Sequence, residues 1–496
     1  MRHDPIANTA PKKTFLNNII IQKFSKPVVV LFLVVASLVV GYVFSTQGLV
    51  NGLLLLCLIV GIPVVFATVA YPKFGIIVFI VISFLINDLS RVLPEETPIG
   101  LVMDLLTYLL ILGFFVKQKT EKRWDYFNDP ISWCFLMWLA YNLLEFFNPA
   151  AASTLAWLYT VRTVGFILLL YYVFVFQIRS KGFIKLLIII WLALALVGAL
   201  SAFQQENFGF FQFELHWLTA DPLRVSLLFI NGHMRKFGIF SDPVVFAYNM
   251  VAASLLCFTL LLGNLKTYKK VILGFMMAFF IWVMLYSGTR GAYVLIPAAM
   301  VMLTILKFNR KILTFVVVAG LFLFFLINIP TSNASLVRFQ TAFRPTKDAS
   351  FNVRAQNQAR IKPYILSHPI GGGLGSVGIW GQRFAPNSYL AKFPPDSGYV
   401  RVAVEMGWLG LLLFCVLNFV VLYRGIYYYY VIQDPTLKTY CLAMILIIFA
   451  FNIGNYPQQA FVQYPSNILF YLAIAIMSVT MRLDVEQQKL QQPLTG

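Results

Sequence analysis

The chain has 496 residues, of which 60% are hydrophobic, 16% aromatic and only 11% charged, against roughly 25% charged in an average soluble domain. So much apolar side chain, recurring in runs long enough to cross a bilayer, excludes a soluble enzyme, a disordered protein and a disulfide scaffold. The formal net charge is +19, from 38 Lys and Arg against 19 Asp and Glu, and its meaning depends on which side of a membrane it lies.

In chain order, residues 1–26 are polar and basic and read as a cytoplasmic tail. The apolar run that follows ends at Ser45-Thr46-Gln47 with no small-residue cleavage site, so it reads as a membrane helix and not a signal peptide. Apolar runs predict helices near 27–44, 49–70, 74–88, 99–116, 130–147, 154–176 and 182–204. They continue near 244–263, 269–286, 291–307, 311–330, 398–422, 438–453 and 465–481. That makes fourteen, or twelve without the short third and thirteenth runs. The expected fold is an all-α polytopic integral membrane protein of about 12–14 membrane helices spanning 27–482, with 483–496 as a second cytoplasmic tail. The five cysteines each sit inside an apolar run, without CxxC or His at ligand spacing, and read as small hydrophobes.

Basic residues orient the spans. With the amino terminus inside, 23 of the 38 Lys and Arg fall on cytoplasmic segments, from Arg2 to Lys489, while the short outer loops hold only Arg91 and Arg290. Of the remainder, Arg162 lies in mid-helix. Twelve lie in or beside two long outer segments, Gln205–Pro243 and Thr331–Ser397. The second carries Arg338, Arg344, Lys347, Arg354, Arg360, Lys362, Arg383 and Lys392 against Asp348 and Asp396. Its Pro, Gly and aromatic punctuation predicts an ordered, partly helical periplasmic loop. Single exposed Lys there are read as lipid-headgroup contacts. An Arg-biased cluster fits a phosphate-bearing substrate, because the planar guanidinium holds phosphate oxygens bidentately.

Four local patterns carry that reading. In Arg235-Lys236-Phe237-Gly238-Ile239-Phe240-Ser241-Asp242-Pro243, Ser241 or Asp242 is expected to cap the next helix, with Pro243 first in it. Free helix N–H groups would then lie near Arg235; a capped helix with a solvated Arg is the plain alternative. Ser287-Gly288-Thr289-Arg290-Gly291 is a short turn whose Arg opens a helix on the side where Arg is unexpected. Arg354 to Gly375 joins a helix-forming stretch, ended or kinked at Pro363, to a glycine run expected as either a flexible loop or a phosphate nest. Asp396 to Gly410 places Asp396 as an expected N-cap, with Arg401 and Glu405 four apart as an expected ion pair. Asp104, Glu145 and Arg162 are ionisable residues within spans, and Glu145 with Arg162 is read as a structural pair. His3, His216, His233 and His368 show no metal-ligand spacing.

Taken in order, these four patterns, about 175 of the 496 residues, resemble the O-antigen ligase and polymerase family of bacterial glycan-assembly membrane proteins. That family shows an Arg followed by a Gly-x-Phe and Asn/Asp-Pro turn, then a Ser-Gly-Ser/Thr-Arg-Gly turn. An Arg-bearing outer loop with a glycine run follows, and last an acidic or His residue leading to Glu-x-Gly-x-x-Gly. The core of the resemblance lies near 230–420, with the periplasmic loop at 331–397 inside it.

The resemblance implies a GT-C-like, metal-independent glycosyltransferase of the bacterial inner membrane, with both termini cytoplasmic and no cofactor. Its donor would be an undecaprenyl-diphosphate-linked glycan. Its acceptor would be lipid A core for a ligase, or another lipid-linked glycan for a polymerase, with membrane lipids and no nucleic acid as its other surroundings. By matched position Arg235 and Arg290 would hold the diphosphate, and Arg354 and Arg360 would lie in the stretch that closes over it. Asp396 stands where ligases of the family have a His that assists the acceptor hydroxyl; a carboxylate among several Arg is a weak base, better suited to orienting that hydroxyl. The rival reading is a secondary transporter or lipid-linked-glycan flippase with Asp104, Glu145 and Arg162 along its path, which predicts repeated halves and a modest outer loop. A non-catalytic membrane scaffold is the third.

Overall fold

A computed structural model describes residues 27–94, 97, 99–230, 232–332, 334–343 and 349–491. The tail at 1–26, and Arg344, Lys347 and Asp348 of the long loop, lie outside the described residues, as do the side chains of Arg338 and Cys57. The chain forms two units, Met1–Ala67 and Thr68–Gly496. Helix α1 (Pro27–Ala70) begins in the first and is interrupted at Gly48, whose φ of 84° lies in the left-handed region that glycine adopts without a Cβ penalty. That break falls between the two apolar runs expected at 27–44 and 49–70.

The second unit opens with α2 (Pro72–Val92), α3 (Gly100–Glu121), α4 (Pro130–Leu144), α5 (Thr154–Val164), α6 (Leu170–Gln177) and α7 (Lys181–Asn207). Two short helices, α8 (Gln212–Thr219) and α9 (Pro222–Leu228), lead into a two-residue antiparallel ribbon, β1 (Phe229–Ile230) and β2 (His233–Met234). Then come α10 (Pro243–Leu261), α11 (Thr267–Met284), α12 (Arg290–Leu306) and α13 (Arg310–Asn328). The long loop holds α14 (Ala334–Ala342), α15 (Ala349–Ser367) and α16 (Gly378–Phe384), before α17 (Gly398–Val431), α18 (Pro435–Gly454) and α19 (Ser466–Gln491).

Among the described residues, eleven helical segments are long and apolar enough to cross a membrane, and α12 and the two parts of α1 add three shorter apolar ones. The chain is an all-α, multi-pass membrane protein. The runs expected to be short are full length, 21 residues in α2 and 20 in α18. Proline at the first position extends both backwards, and Asp88 and Arg91 extend α2 past the point where hydropathy falls.

Three helices form the centre: α10, α18 and α19 are the most completely buried. The sequence of α10 explains its place. It has no charged residue and is apolar all round, and Ala247, Ala252, Ala253 and Ser254 let neighbours approach closely. Helix α13 is apolar too, yet only Ile312 along it is buried. At its far end α19 runs on past the expected end of the membrane domain to Gln491, because Asp484 accepts the backbone N–H groups of Gln433 and Asp434 at 3.1 and 2.9 Å.

Candidate functional site

The two long segments and the short turns between α11 and α12 and between α18 and α19 meet at one end of the helices. The first anchor comes from a distant helix. Arg91 at the end of α2 is buried and donates to the carbonyls of Gly238 (2.9 Å) and Phe240, pairs with Asp88 at 3.2 Å, and lies over the Phe237 ring at 4.3 Å. Gln205 of α7 accepts the N–H groups of Phe237 and Gly238 (3.2 and 2.9 Å) and donates to Glu214 at 2.6 Å. Burial pushes the Glu214 carboxyl above the usual range, against bonds from the Phe211 N–H and Gln205 that pull it down. Together these groups fix the turn that follows Arg235.

Arg235 itself is half-buried. Its Nε donates to the Ser287 carbonyl at 2.7 Å and its Nη2 to Thr289 Oγ1 at 3.0 Å. Thr289 Oγ1 donates on to the Pro243 carbonyl at 3.1 Å, and Ser287 Oγ accepts the Thr289 N–H at 3.0 Å. Gly288 supplies the left-handed φ of 55° that closes the turn. Arg290 is the first residue of α12, as expected, so the structure brings Arg235 onto the turn that presents Arg290. The neighbouring Lys236 pairs with Glu206 at 3.4 Å and is locally neutralised. Asp242 caps α10, and one of its oxygens takes the Val244 and Val245 N–H groups at 2.7 and 3.0 Å. That carboxylate occupies the helix end, so α10 does not supply the open anion site near Arg235 that its sequence suggested.

Asp396 sits on the other side of a short segment, Asn455–Gln459. Gly398 donates to the Asn455 carbonyl at 2.9 Å, and Gln459 donates to the Pro395 carbonyl and accepts from Arg401 at 2.8 Å. The expected cap of α17 is wrong by one residue: Ser397, not Asp396, accepts the Val400 N–H. Asp396 is therefore exposed while its neighbours are held, and it shares a narrow crevice with Arg354, Asn357 and Gln358 of α15. Residues 354, 357, 358, 361, 364 and 365 form one face of α15 at helical spacing. Arg360 lies off that face and is exposed, and the structure does not bring it to the crevice.

The same short segment links the two halves. A Cβ on Gly291 would stand 3.2 Å from Pro457 and 3.3 Å from the Tyr248 hydroxyl, which donates to the Gly454 carbonyl at 2.8 Å. Sequence reading missed Tyr248 and Asn455–Gln459 because neither carries a charge or a recognisable spacing. Arg91 did leave a signal, as a basic residue on the wrong side of the charge rule.

The glycine run is neither a flexible loop nor a phosphate nest. Residues 371–377 are buried, and Gly372 and Gly373 donate to the Val404 and Glu405 carbonyls, each at 2.9 Å. Those carbonyls are exposed to them because α17 is broken at Gly407, with φ 69° and ψ −175°. Glu405 then accepts the N–H groups of Gly375 and Val377 and pairs with Arg401 at 3.2 Å, as its spacing predicted. Asn148 binds the Ile370 carbonyl at 2.9 Å and Glu145 at 2.8 Å. The expected Glu145–Arg162 pair does not form. Arg162 pairs with Asp104 at 2.9 Å, because Glu145 is turned to the glycine run by Asn148.

Among the described residues no three His, Cys, Asp or Glu cluster as a metal ion would require, and Cys134, Cys257, Cys415 and Cys441 are free thiols. No curated protein matches the chain. Residues 275–415 match the family model described as O-antigen ligase. That segment holds the Ser287–Gly291 turn, Arg354, Asp396 and the broken helix, all built into one end of the molecule, and over it the chain is similar to the O-antigen ligase family.

Proposed function

We propose that the chain is a metal-independent glycosyltransferase of the bacterial inner membrane that moves a glycan from undecaprenyl diphosphate to a sugar hydroxyl. The acceptor is lipid A core for a ligase, or a second lipid-linked glycan for a polymerase. Both termini lie in the cytoplasm and the loop-rich end faces the periplasm, because alternate loops obey the charge rule. The membrane core runs over 27–482, with the family-like part near 230–420.

One observation carries this reading: Arg235 and Arg290, 55 positions apart, are brought to a single turn by the bonds of Arg235 to Ser287 and Thr289. Two guanidinium groups so placed neutralise the charge that builds on a departing diphosphate, the main electrostatic task of such a transfer. Arg354 and Asp396 both line the adjoining crevice. There the carboxylate orients the acceptor hydroxyl and receives its proton as the new glycosidic bond forms. Arg360, exposed on another face, is assigned to catching the donor from solvent or lipid and not to its final seat.

Arg235→Ala and Arg290→Ala are each expected to lower transfer about 10²- to 10³-fold, the scale of losing one preorganised donor. The readout is the glycan profile of cells expressing each variant at wild-type level in the membrane. Wild-type profiles from both would refute the assignment.

A further inference from the structure

Pro394-Pro395-Asp396 is a short, stiff lead into α17. Each proline ring fixes its own φ at about −65°, and the Asp396 N–H turns back to the Pro394 carbonyl at 3.0 Å. The rotation left open is ψ of Pro395, which swings the Asp396 peptide and the carboxylate with it. That rotation is set from outside the lead. The Pro395 carbonyl accepts from Gln459 Nε2, and Gly398, two residues beyond Asp396, donates to the Asn455 carbonyl at 2.9 Å.

Gln459 suits this place by its chemistry. A carbonyl oxygen can only accept and a guanidinium can only donate. The Gln459 amide meets both, giving its nitrogen to Pro395 and taking Arg401 Nη1 on its oxygen at 2.8 Å, so its orientation admits no flip. Arg401 is fixed in turn by the buried Glu405 at 3.2 Å. A Glu at 459 would keep the bond from Arg401 but set a second acceptor against the Pro395 carbonyl. An Asn would be one methylene short.

The turn that carries Gln459 is itself braced. The N–H groups of Tyr456, Gln458 and Ala460 bond to the carbonyls of Ile453, Gly454 and Gln458 at 3.1, 3.3 and 3.1 Å, and Asn455 Oδ1 also takes the Ala460 N–H at 3.1 Å. Its Pro457 stands against Gly291, where an added Cβ would come within 3.2 Å of the ring. One braced turn therefore touches both the helix start that bears Arg290 and the lead that bears Asp396.

Resting on the role proposed above for Asp396, we propose that Gln459 is a positioning residue for the transfer. It holds the Asp396 carboxylate at a set offset from Arg290. The acceptor oxygen then meets the sugar carbon as the diphosphate leaves with the bonding pair and the hydroxyl proton passes to Asp396. Gln459 lies outside the matched segment, 275–415, and its effect passes through Asp396.

Glycan transfer is measured in membranes of cells expressing the full chain, each variant at wild-type level. Gln459→Ala and Gln459→Glu are each expected to lower transfer about 10- to 100-fold, the scale of a small misplacement of a reacting group. Gln458→Ala, on the same turn, should leave it unchanged. If the Ala variant does not reach wild-type level, Gln459→Glu, of equal size, decides. A double-mutant cycle separates positioning from general damage: in an Asp396→Asn background, Gln459→Ala should cost less than about threefold more, because the group it positions no longer acts. Multiplied losses overturn the proposal, as does wild-type transfer in both Gln459 variants. Hydrogen exchange decides if the double variant falls below detection. Gln459→Ala should speed exchange at Asp396–Gly398 and leave 286–292 unchanged, and unaltered exchange at Asp396–Gly398 overturns the proposal. Full transfer in Asp396→Asn alone removes the acceptor role and the inference with it. Loss of transfer in Arg235→Ala and Arg290→Ala beside wild-type Gln459 variants refutes Gln459 alone, whereas wild-type transfer in those two Arg variants refutes the diphosphate site.

Discussion

Asp396 is held by what surrounds it. Pro395 is bound by Gln459, Ser397 caps α17 and Gly398 is fixed to Asn455, so the carboxylate projects from a rigid support into the crevice it shares with Arg354. If it both orients the acceptor and receives its proton, Asp396→Asn keeps the shape and loses the base, and should lower kcat about 10²-fold with KM little changed. Asp396→His should restore part of that rate. Full activity in the Asn variant would remove the proton-accepting role. Arg91 acts one step away, through the Gly238–Phe240 turn. Arg91→Lys cannot reach both carbonyls with a planar fork, and should misplace Arg235 enough to cost transfer while a fluorescent fusion still shows normal insertion. Spacing made the Arg401–Glu405 pair legible, and charge marked Arg235 and Arg290 as candidates whose roles remain proposals. Residue chemistry was illegible where the role belongs to a backbone carbonyl or a neutral side chain, as at Tyr248 and Gln459, because no residue type advertises that use.

The elements of the loop-rich end are joined by backbone more than by side chains. The break in α17 at Gly407 frees carbonyls that the glycine run takes up, and a Cβ at Gly407 would stand 1.9 Å from the Pro369 oxygen. Gly407→Ala should therefore destabilise the protein by about 2 kcal/mol, the scale of one strained backbone position, seen as a lower thermal midpoint with loss of transfer. Glu214 gives the first long segment a pH dependence. Burial raises its folded carboxyl, so the folded segment holds its proton longer than the unfolded one does. Stability is then greatest at low pH, falls as pH rises above the ordinary glutamate range, and levels once the folded carboxyl also ionises. Hydrogen exchange across 205–240 should speed up over that interval, and Glu214→Gln should flatten the response. Helix positions were readable because hydropathy, proline at helix starts and capping residues are local signals. The glycine run was misjudged because its partner, the opened turn of α17, is some 30 residues away and itself looks like uninterrupted helix.

At the scale of the whole molecule, the sequence specifies a stack of apolar helices and leaves to packing the choice of which are central. Composition alone does not separate α10, enclosed by protein, from α13, nearly bare; only the small residues of α10 hint at the difference. The side of the membrane is open to direct measurement. Alkaline phosphatase fused after Lys266 should be inactive, and fused after Ser367 active, if the loop-rich end is periplasmic; the reverse pattern would invert the orientation.

The hold of Arg91 on the turn beside Arg235 has a consequence for inheritance. The family-matched segment, 275–415, contains Arg290, Arg354 and Asp396, but Arg235 and the helix that steadies it lie outside. A chimera exchanging that segment alone would unite one parent's Arg290 with the other's Arg235, across the contacts at Ser287 and Thr289. The two stretches are therefore a single unit of exchange, and the Arg235–Arg290 pairing is expected to survive such a swap only when residues near 91 and 205–243 travel with the loop.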